Sequence, residues 1–187
     1  MDPEVSSDAA ADAQTAAAQT PEIDPAQPQY LQQQLASEQN LPLALVGGAV
    51  AAAVSAGIWA GVTASTGYQI GFMAIGVGFL VGYVVRILGK GMTSVFGVVG
   101  ALFSLLGCAI GNLLAVTQIV AAEEGVSLLD ALPQLTPALA QDLMVGFFSP
   151  MDLLFYALAL YYGYSLAFRQ LTEDELQTRL SGVAPPV

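Results

Sequence analysis

The chain of 187 residues contains no histidine, a single cysteine, Cys108, and only four basic residues against fifteen acidic ones. Without histidine and with one thiol, it lacks the usual ligands of a transition metal and cannot form an internal disulfide bond. Its net charge of −11 argues against nucleic acid, because neutralising phosphates requires clustered Lys and Arg. We therefore expect no metal, no cofactor and no nucleic acid partner.

The chain is rich in apolar residues. It is 55% hydrophobic and only 10% charged, and its mean hydropathy is +0.64. One small core could not hide that much apolar surface, so the composition predicts a membrane protein in contact with the lipid bilayer.

Both ends of the chain differ from its middle. Residues 1–40 are rich in Ala, Gln, Asp, Glu and Pro and contain no Lys or Arg. This composition predicts a disordered, acidic, low-complexity cytoplasmic tail. The segment "QYLQQQLASEQ" could form a short helix before the membrane, which a partner could order. Residues 173–187 are predicted to form a cytoplasmic C-terminal tail.

Residues 41–172 contain four apolar segments whose lengths match a bilayer of roughly 30 Å. We predict an all-α membrane protein with four transmembrane helices in a compact antiparallel bundle, because the links "ASTGYQ" and "GKGMT" are short. The predicted spans are residues 41–63, 70–88, 94–119 and 150–168. The fourth begins at "SPMD", where Asp152 caps the helix or, alternatively, serves as a ligand or proton carrier.

The basic residues are Arg86, Lys90, Arg169 and Arg179, and in a four-span chain all of them lie at or beyond one membrane boundary. The positive-inside rule then predicts cytoplasmic termini and an outward loop at residues 120–149. Within this loop we expect an amphipathic segment lying in the interface, or a cap or docking site. Arg86, Lys90 and Arg169 set the topology or bind lipid headgroups, and a carboxylate of a partner or a bound substrate are further alternatives for Arg86.

Small residues recur every four positions in each predicted span, which favours close helix packing. The predicted helix-packing residues are Gly48, Ala52, Ala56, Gly78, Gly82, Gly107, Gly111, Ala159 and Gly163. In the second span, Val81 is expected to lie on the opposite face. The two glycines beside Lys90 are expected to give the turn its conformational freedom.

Ser104, Cys108 and Asn112 form a polar line in the third span. They are predicted to form hydrogen bonds across helices or to the carbonyls of their own helix, and a polar path for a small solute is the alternative. In the fourth span, Tyr161 and Tyr162 are expected to pack between helices, with an aromatic or quinone-like ligand as the alternative.

The segments "YQIGFMAIGVGFLVGYVVR" and "SPMDLLFYALALYYGYSLAFRQLT" resemble an uncharacterised family of bacterial four-span integral membrane proteins. The resemblance covers about residues 45–172. It implies a four-helix unit in a bacterial inner membrane, and it implies no activity and no functional residue.

The sequence thus favours a non-enzymatic integral membrane scaffold or accessory subunit of a larger inner-membrane complex, with other membrane subunits or further copies of itself as partners. Every span has a small-residue face, and deep ionisable residues are lacking. The alternative is a small channel or transporter with a neutral polar path along the third span. A membrane enzyme or cofactor-binding subunit is a third hypothesis.

Overall fold

The computed structural model describes residues 33–172, and every regular element in this part of the chain is helical. Residues 33–37 are helical and lead into the long helix α1 (Leu41–Thr66). Helices α2 (Met73–Gly89) and α3 (Ser94–Glu123) follow. Two short helices come next, α4 (Leu128–Ala131) and α5 (Pro137–Gly146), with the 3₁₀ turn Leu132–Gln134 between them. Helix α6 (Pro150–Leu166) completes the bundle.

Helices α2 and α3 form the centre of the bundle. They contact each other, and each also packs against both α1 and α6, so α1 and α6 form the two flanks. Helix α2 runs antiparallel to both α1 and α3. Helices α1 and α3 run in the same direction and are in close contact. The same is true of helices α2 and α6. Gly78 lies beside Ala159, for example, and Gly82 lies beside Gly163.

Two helices, α1 and α3, are each long and apolar enough to cross a membrane. Helices α5 and α6 would form a third span if this pair, bent by 105°, were continuous. Helix α2 is apolar but has 17 residues, which is about 25 Å. The structure therefore confirms the all-helical class and candidate membrane spans, whereas length and composition alone do not establish four spans.

The predicted start of α6 is confirmed. The Ser149 hydroxyl accepts a hydrogen bond from the Met151 amide at 3.3 Å, and the Ser149 amide donates to the Asp152 carboxylate at 2.8 Å. Pro150 occupies the first turn, where its missing N–H is not needed. Asp152 is thus part of a reciprocal cap, since its side chain accepts a hydrogen bond from the backbone amide of Ser149, the residue before the helix.

The helical bundle begins earlier than composition predicts. Leu35 is buried, Glu38 pairs with Arg169, and the Asn40 amide donates to the Gly89 carbonyl at 2.9 Å. Residues 33–40 therefore belong with the bundle rather than with the predicted tail of residues 1–40. The remainder of that tail, residues 1–32, and the predicted tail of residues 173–187 lie outside the described residues.

Three local expectations are wrong. Val81 is fully buried rather than on an opposite face, because α2 is surrounded by three helices. Tyr161 is 63% exposed, whereas Tyr162 stacks on Phe79 with ring centroids 4.4 Å apart.

The left-handed residue of the α2–α3 turn is Lys90 itself, with φ 47°. The glycines beside it instead allow close approach, since a Cβ on Gly89 would lie 2.8 Å from Ala44 and from Phe96.

Candidate functional site

The polar line of α3 lies between helices. Ser104 and Cys108 have no exposed surface, and Asn112 is 2% exposed. The Ser104 hydroxyl donates to the Gly100 carbonyl at 2.7 Å, and the Cys108 thiol donates to the Ala74 carbonyl of α2 at 3.7 Å. Ser104 therefore forms a hydrogen bond within its own helix, and Cys108 forms one to a neighbouring helix.

Of these three residues, Asn112 forms the hydrogen bond that joins the most widely separated positions in the sequence. Its side-chain oxygen accepts a hydrogen bond of 2.5 Å from the Gln69 amide, in the loop that joins α1 to α2. Tyr156 of α6 lies beside Asn112. Asn112 is thus the point where α3, α6 and this loop meet, and it is closed to water.

The small residues of α2 and α6 bring two backbones together. A Cβ built on Gly78 would lie 2.6 Å from the Ala159 carbonyl oxygen and 2.8 Å from the Ala159 Cα. A Cβ on Gly82 would lie 3.0 Å from the Tyr162 carbonyl oxygen and 3.1 Å from that of Gly163. Real Cβ atoms essentially never come within 3.0 Å of such atoms, so the Gly78 contact requires glycine.

A second seam of small residues joins α1 to α3. A Cβ on Gly107 would lie 3.3 Å from the Ala52 Cα, and a Cβ on Gly111 would lie 3.4 Å from the Ala56 Cα. At Gly48 of α1, an added Cβ would lie 2.6 Å from the Phe103 ring. All the predicted helix-packing residues are buried, and their contribution to stability stays a prediction.

Another small-residue stripe of α1 points away from the bundle, and the sequence interpretation missed it. It consists of Ala53, Gly57, Gly61 and Ser65, which are all exposed. A Cβ on Gly57 or Gly61 would meet nothing within 4 Å. The signal was present in the sequence, since Gly57 and Gly61 form the G-x-x-x-G spacing by which membrane helices associate. We call these four residues the outer face of α1.

An apolar groove lies beside this face, between α1 and α2. Its volume is about 290 Å³, and its lining is almost entirely apolar. The α1 side of the groove includes Val46, Val50 and Val54, and the α2 side includes Leu80 and Val84. The groove thus adds valine and leucine side chains to the exposed apolar surface of α1.

Three segments distant in sequence are joined at one end of the bundle. The Arg169 guanidinium lies 2.6 Å from the Glu38 carboxylate, with side chains that are 15% and 29% exposed. The Arg169 amide also donates to the Gly91 carbonyl at 2.9 Å. The region before α1, the α2–α3 turn and the region after α6 therefore lie together. We call this the basic end, because Arg86, Lys90 and Arg169 are all at or near it.

Of these basic residues, Arg169 has a role that the sequence did not predict, since it joins two chain segments through an ion pair. Arg86 is half-buried in the last turn of α2, and Lys90 is exposed. These positions suit both topology setting and contact with lipid headgroups, so both remain predictions.

The opposite end carries Glu123, Glu124, Asp130 and Asp142, and we call it the acidic end. At this end α1 and α3 extend beyond the start of α2. The Gln69–Asn112 hydrogen bond puts the residues just before α2 level with Asn112, well before the end of α3 at Glu123. Helices α4 and α5 pack against this extension of α3. Since α5 is bent by 105° from α6, it lies across the bundle axis, as a helix in the membrane interface would.

Some exposed large apolar side chains, among them Leu129 and Val145, lie in the segment between α3 and α6. Those of α1 and α3 occupy one level of the bundle. They extend from Leu41 to Ile58 in α1 and from Val95 to Ile110 in α3, which at 1.5 Å per residue is about 26 Å and about 23 Å. Beyond this level the exposed residues of α1 and α3 are Gly61, Ala64, Ser65, Thr66, Ala122 and Glu123. We call this level the apolar band.

Helices α2 and α6 cross the same band. The Cys108–Ala74 hydrogen bond and the Gly78–Ala159 contact place both helices at the level of Val95–Ile110. Their exposed large apolar side chains are Phe79, Tyr83, Ile87, Met151, Leu153, Leu154, Tyr161 and Tyr164.

Comparison of the chain with protein-family models, with curated proteins and with solved structures finds no match.

Proposed function

We propose that this chain is a non-enzymatic integral membrane scaffold or accessory subunit, which associates with another transmembrane helix through the outer face of α1. One observation carries the proposal. Gly78, Gly82, Gly107 and Gly111 are each covered by a neighbouring helix, whereas Gly57 and Gly61 face open space. Helix association in a bilayer depends on close packing, and glycines of this spacing permit it.

The proposal includes four membrane spans. Its support is the apolar band, which all four long helices cross at one level. The band is about 25 Å tall, close to the hydrocarbon thickness of roughly 30 Å. The shorter helices α2 and α6 are then long enough to cross with a modest local thinning of the bilayer.

Orientation and location are part of the same proposal. The chain is a multi-pass protein with both termini in the cytoplasm, because the basic end carries Arg86, Lys90 and Arg169 and the acidic end lacks such residues in the described part. The assignment to a bacterial inner membrane rests on the resemblance of residues 45–172 to the bacterial four-span family.

A conduit has less support. In an aqueous path Ser104, Cys108 and Asn112 would contact water, and they are instead enclosed between helices. Within residues 33–172 the buried side chains include one ionisable carboxylate, Asp152, and it caps α6. Proton coupling and nucleophilic chemistry both need further ionisable groups near the reacting atoms.

The variant Gly57→Leu tests the proposal. Its side chain enters open space in the single chain, so the bundle should keep its thermal stability, while a helix docked on this face would be displaced. The matched control is Ala157→Leu, which enlarges an exposed residue of α6 on the opposite flank.

The measurement is co-purification in mild detergent of a tagged chain, with a second, differently tagged copy and with other membrane proteins. We expect the wild type and Ala157→Leu to retain a stoichiometric partner, whether a second copy or another subunit, and Gly57→Leu to lose it. Retention of the same partner by Gly57→Leu would refute the role of this face. A wild-type protein that purifies as a single chain would refute the scaffold.

A further inference from the structure

The apolar groove between α1 and α2 is as long as one leaflet of a bilayer is thick. On α1 its lining runs from Leu43 to Val54, and on α2 it runs from Leu88 back to Leu80. The eleven positions from Leu43 to Val54 span about 16 Å, and half of a hydrocarbon core of roughly 30 Å is about 15 Å. Since α1 begins at the basic end, the groove occupies the half of the apolar band that adjoins this end.

The width of the groove suits one hydrocarbon chain. A volume of about 290 Å³ over a length of about 16 Å gives a mean cross-section of about 18 Å², and so a width of about 5 Å. Carbon atoms in contact lie about 4 Å apart, so an extended chain fits this width. A helix with its side chains is about 10 Å across, so a helix of a second copy or of another subunit does not enter the groove.

The side chains that form the groove hold it open. Val46, Val50 and Val54 are exposed and form one wall, while the small residues Gly47 and Ala51 are buried beside them. Valine has one strongly preferred rotamer in a helix, so this wall keeps its shape without a ligand. An unfilled groove in a bilayer would lose dispersion contacts along its walls, and lipid tails are the molecules that surround it.

Lys90 lies at the end of the groove nearest the basic end. It follows Leu88 by two residues and is exposed. The Asn40 amide donates to the Gly89 carbonyl at 2.9 Å, so Lys90 is held beside the residues where α1 begins. Its ammonium group is therefore within reach of a headgroup whose chain enters between Leu43 and Leu88.

The charge at this end selects an anionic headgroup. Within residues 33–172, Arg86, Lys90 and Arg169 lie at or near the basic end, and the acidic residue there, Glu38, pairs with Arg169. The described part of this end thus carries a net positive charge. Basic residues beside a membrane surface attract anionic lipids, whereas a zwitterionic headgroup gains less because its own charges cancel.

We infer that the apolar groove holds one acyl chain of an anionic phospholipid whose headgroup contacts Lys90. The site retains one lipid per chain, which distinguishes it from the lipids that exchange freely around the bundle. The inference rests on the proposed location in a membrane. It does not depend on association through the outer face of α1, which extends from Ala53 toward the acidic end. A retained lipid would make the stability of the α1–α2 pair depend on the anionic lipid content of the membrane.

The experiment titrates the delipidated full-length protein in a mild non-ionic detergent with dioleoyl phosphatidylglycerol, which is anionic. Dioleoyl phosphatidylcholine has the same chains and no net charge, and glycerol 3-phosphate has a charged head and no chain. Native mass spectrometry counts the lipids bound to each chain. The thermal unfolding midpoint reports binding independently, since a ligand of the folded state raises it.

Val50→Trp fills the groove from its exposed wall, and Val98→Trp is its matched control. Val98 is a valine of α3 that is 49% exposed, compared with 58% for Val50, and it does not line the groove. Both substitutions enlarge exposed side chains, so the unliganded midpoints of the two variants should agree. A third variant, Lys90→Gln, removes the cation and keeps a polar side chain.

We expect one phosphatidylglycerol to bind saturably to each chain, and phosphatidylcholine to bind about fivefold more weakly. Lys90→Gln should weaken the binding of phosphatidylglycerol about fivefold, the equivalent of about 1 kcal/mol for one basic residue at an anionic surface, and should leave that of phosphatidylcholine within twofold. Val50→Trp should weaken both lipids at least tenfold, and Val98→Trp should stay within twofold of the wild type.

No saturable binding, an equal effect of glycerol 3-phosphate, or equal losses in Val50→Trp and Val98→Trp would each overturn the inference. Equal binding of the two lipids by the wild type would refute the selection of an anionic headgroup. Lipids are counted on each chain, so a failure of the scaffold, seen as a wild type without a protein partner, is distinguishable from a failure of the lipid site.

Discussion

The contact between α2 and α6 at Gly78 gives a sharp test of how the bundle is held together. A single added methyl group at this position would lie 2.6 Å from the Ala159 carbonyl oxygen and 2.8 Å from its Cα. These atoms belong to a helix backbone, so they cannot rotate away as the end of a flexible side chain could. Gly78→Ala must therefore separate α2 from α6.

Gly76 provides the matched control, because it lies in the same helix and a Cβ there would meet nothing within 4 Å. Replacing glycine by alanine within a helix favours folding by about 1 kcal/mol, and this gain is common to both variants. Overpacking costs about 1–3 kcal/mol, and it applies to Gly78→Ala alone. We therefore expect Gly78→Ala to be less stable than Gly76→Ala by about 1–3 kcal/mol.

The free energy of unfolding can be compared by titrating both variants with a denaturing detergent after purification in a mild one. The wild type should be about 1 kcal/mol less stable than Gly76→Ala, and at least as stable as Gly78→Ala. If Gly78→Ala proves as stable as Gly76→Ala, the backbone contact does not limit the approach of the two helices, and the packing argument fails.

Four further predictions concern the polar line of α3, the topology and the basic end. Cys108 should resist a membrane-impermeant maleimide in intact membranes, because thiolate chemistry requires access to water, and rapid labelling would favour the aqueous path. Asn112→Leu should destabilise the bundle by about 0.6 kcal/mol through loss of the Gln69 hydrogen bond, and unchanged thermal stability would contradict this role. Reporter fusions should place the C-terminus in the cytoplasm and residue 125 outside, and reporters on the same side would exclude four spans. Glu38→Gln should lower the stability by about 0.2–1 kcal/mol, since its ion pair with Arg169 is partly exposed, and a midpoint equal to that of the wild type would show that the pair does not hold the basic end.

The sequence alone determined the helical class and the approximate positions of the long helices. Long apolar segments interrupted by "ASTGYQ" and "GKGMT" leave few alternatives to helices, because in lipid each backbone amide must find a partner within its own segment. The start of α6 was equally local, since Ser149, Pro150 and Asp152 satisfy the free amides of the first turn without help from other helices.

The inward and outward faces of these helices depended on the tertiary structure. Two small-residue stripes of α1 look alike in sequence, one through Gly48, Ala52 and Ala56 and the other through Gly57 and Gly61. Only packing shows that the first is covered by the bundle and that the second is open. Val81 gives the same lesson, because α2 contacts three helices and has no free face at that position.

The contacts that join distant segments also depended on the tertiary structure. Glu38 lies in a stretch whose composition predicts a tail, yet it meets Arg169, which is 131 residues away. Gln69 likewise is an ordinary loop residue until folding places its side chain against Asn112, which is 43 residues away. The physical reason is that lipid tails are as apolar as the side chains buried between helices. Hydropathy therefore identifies which segments of a membrane protein are helices, but it does not identify which helix surfaces meet.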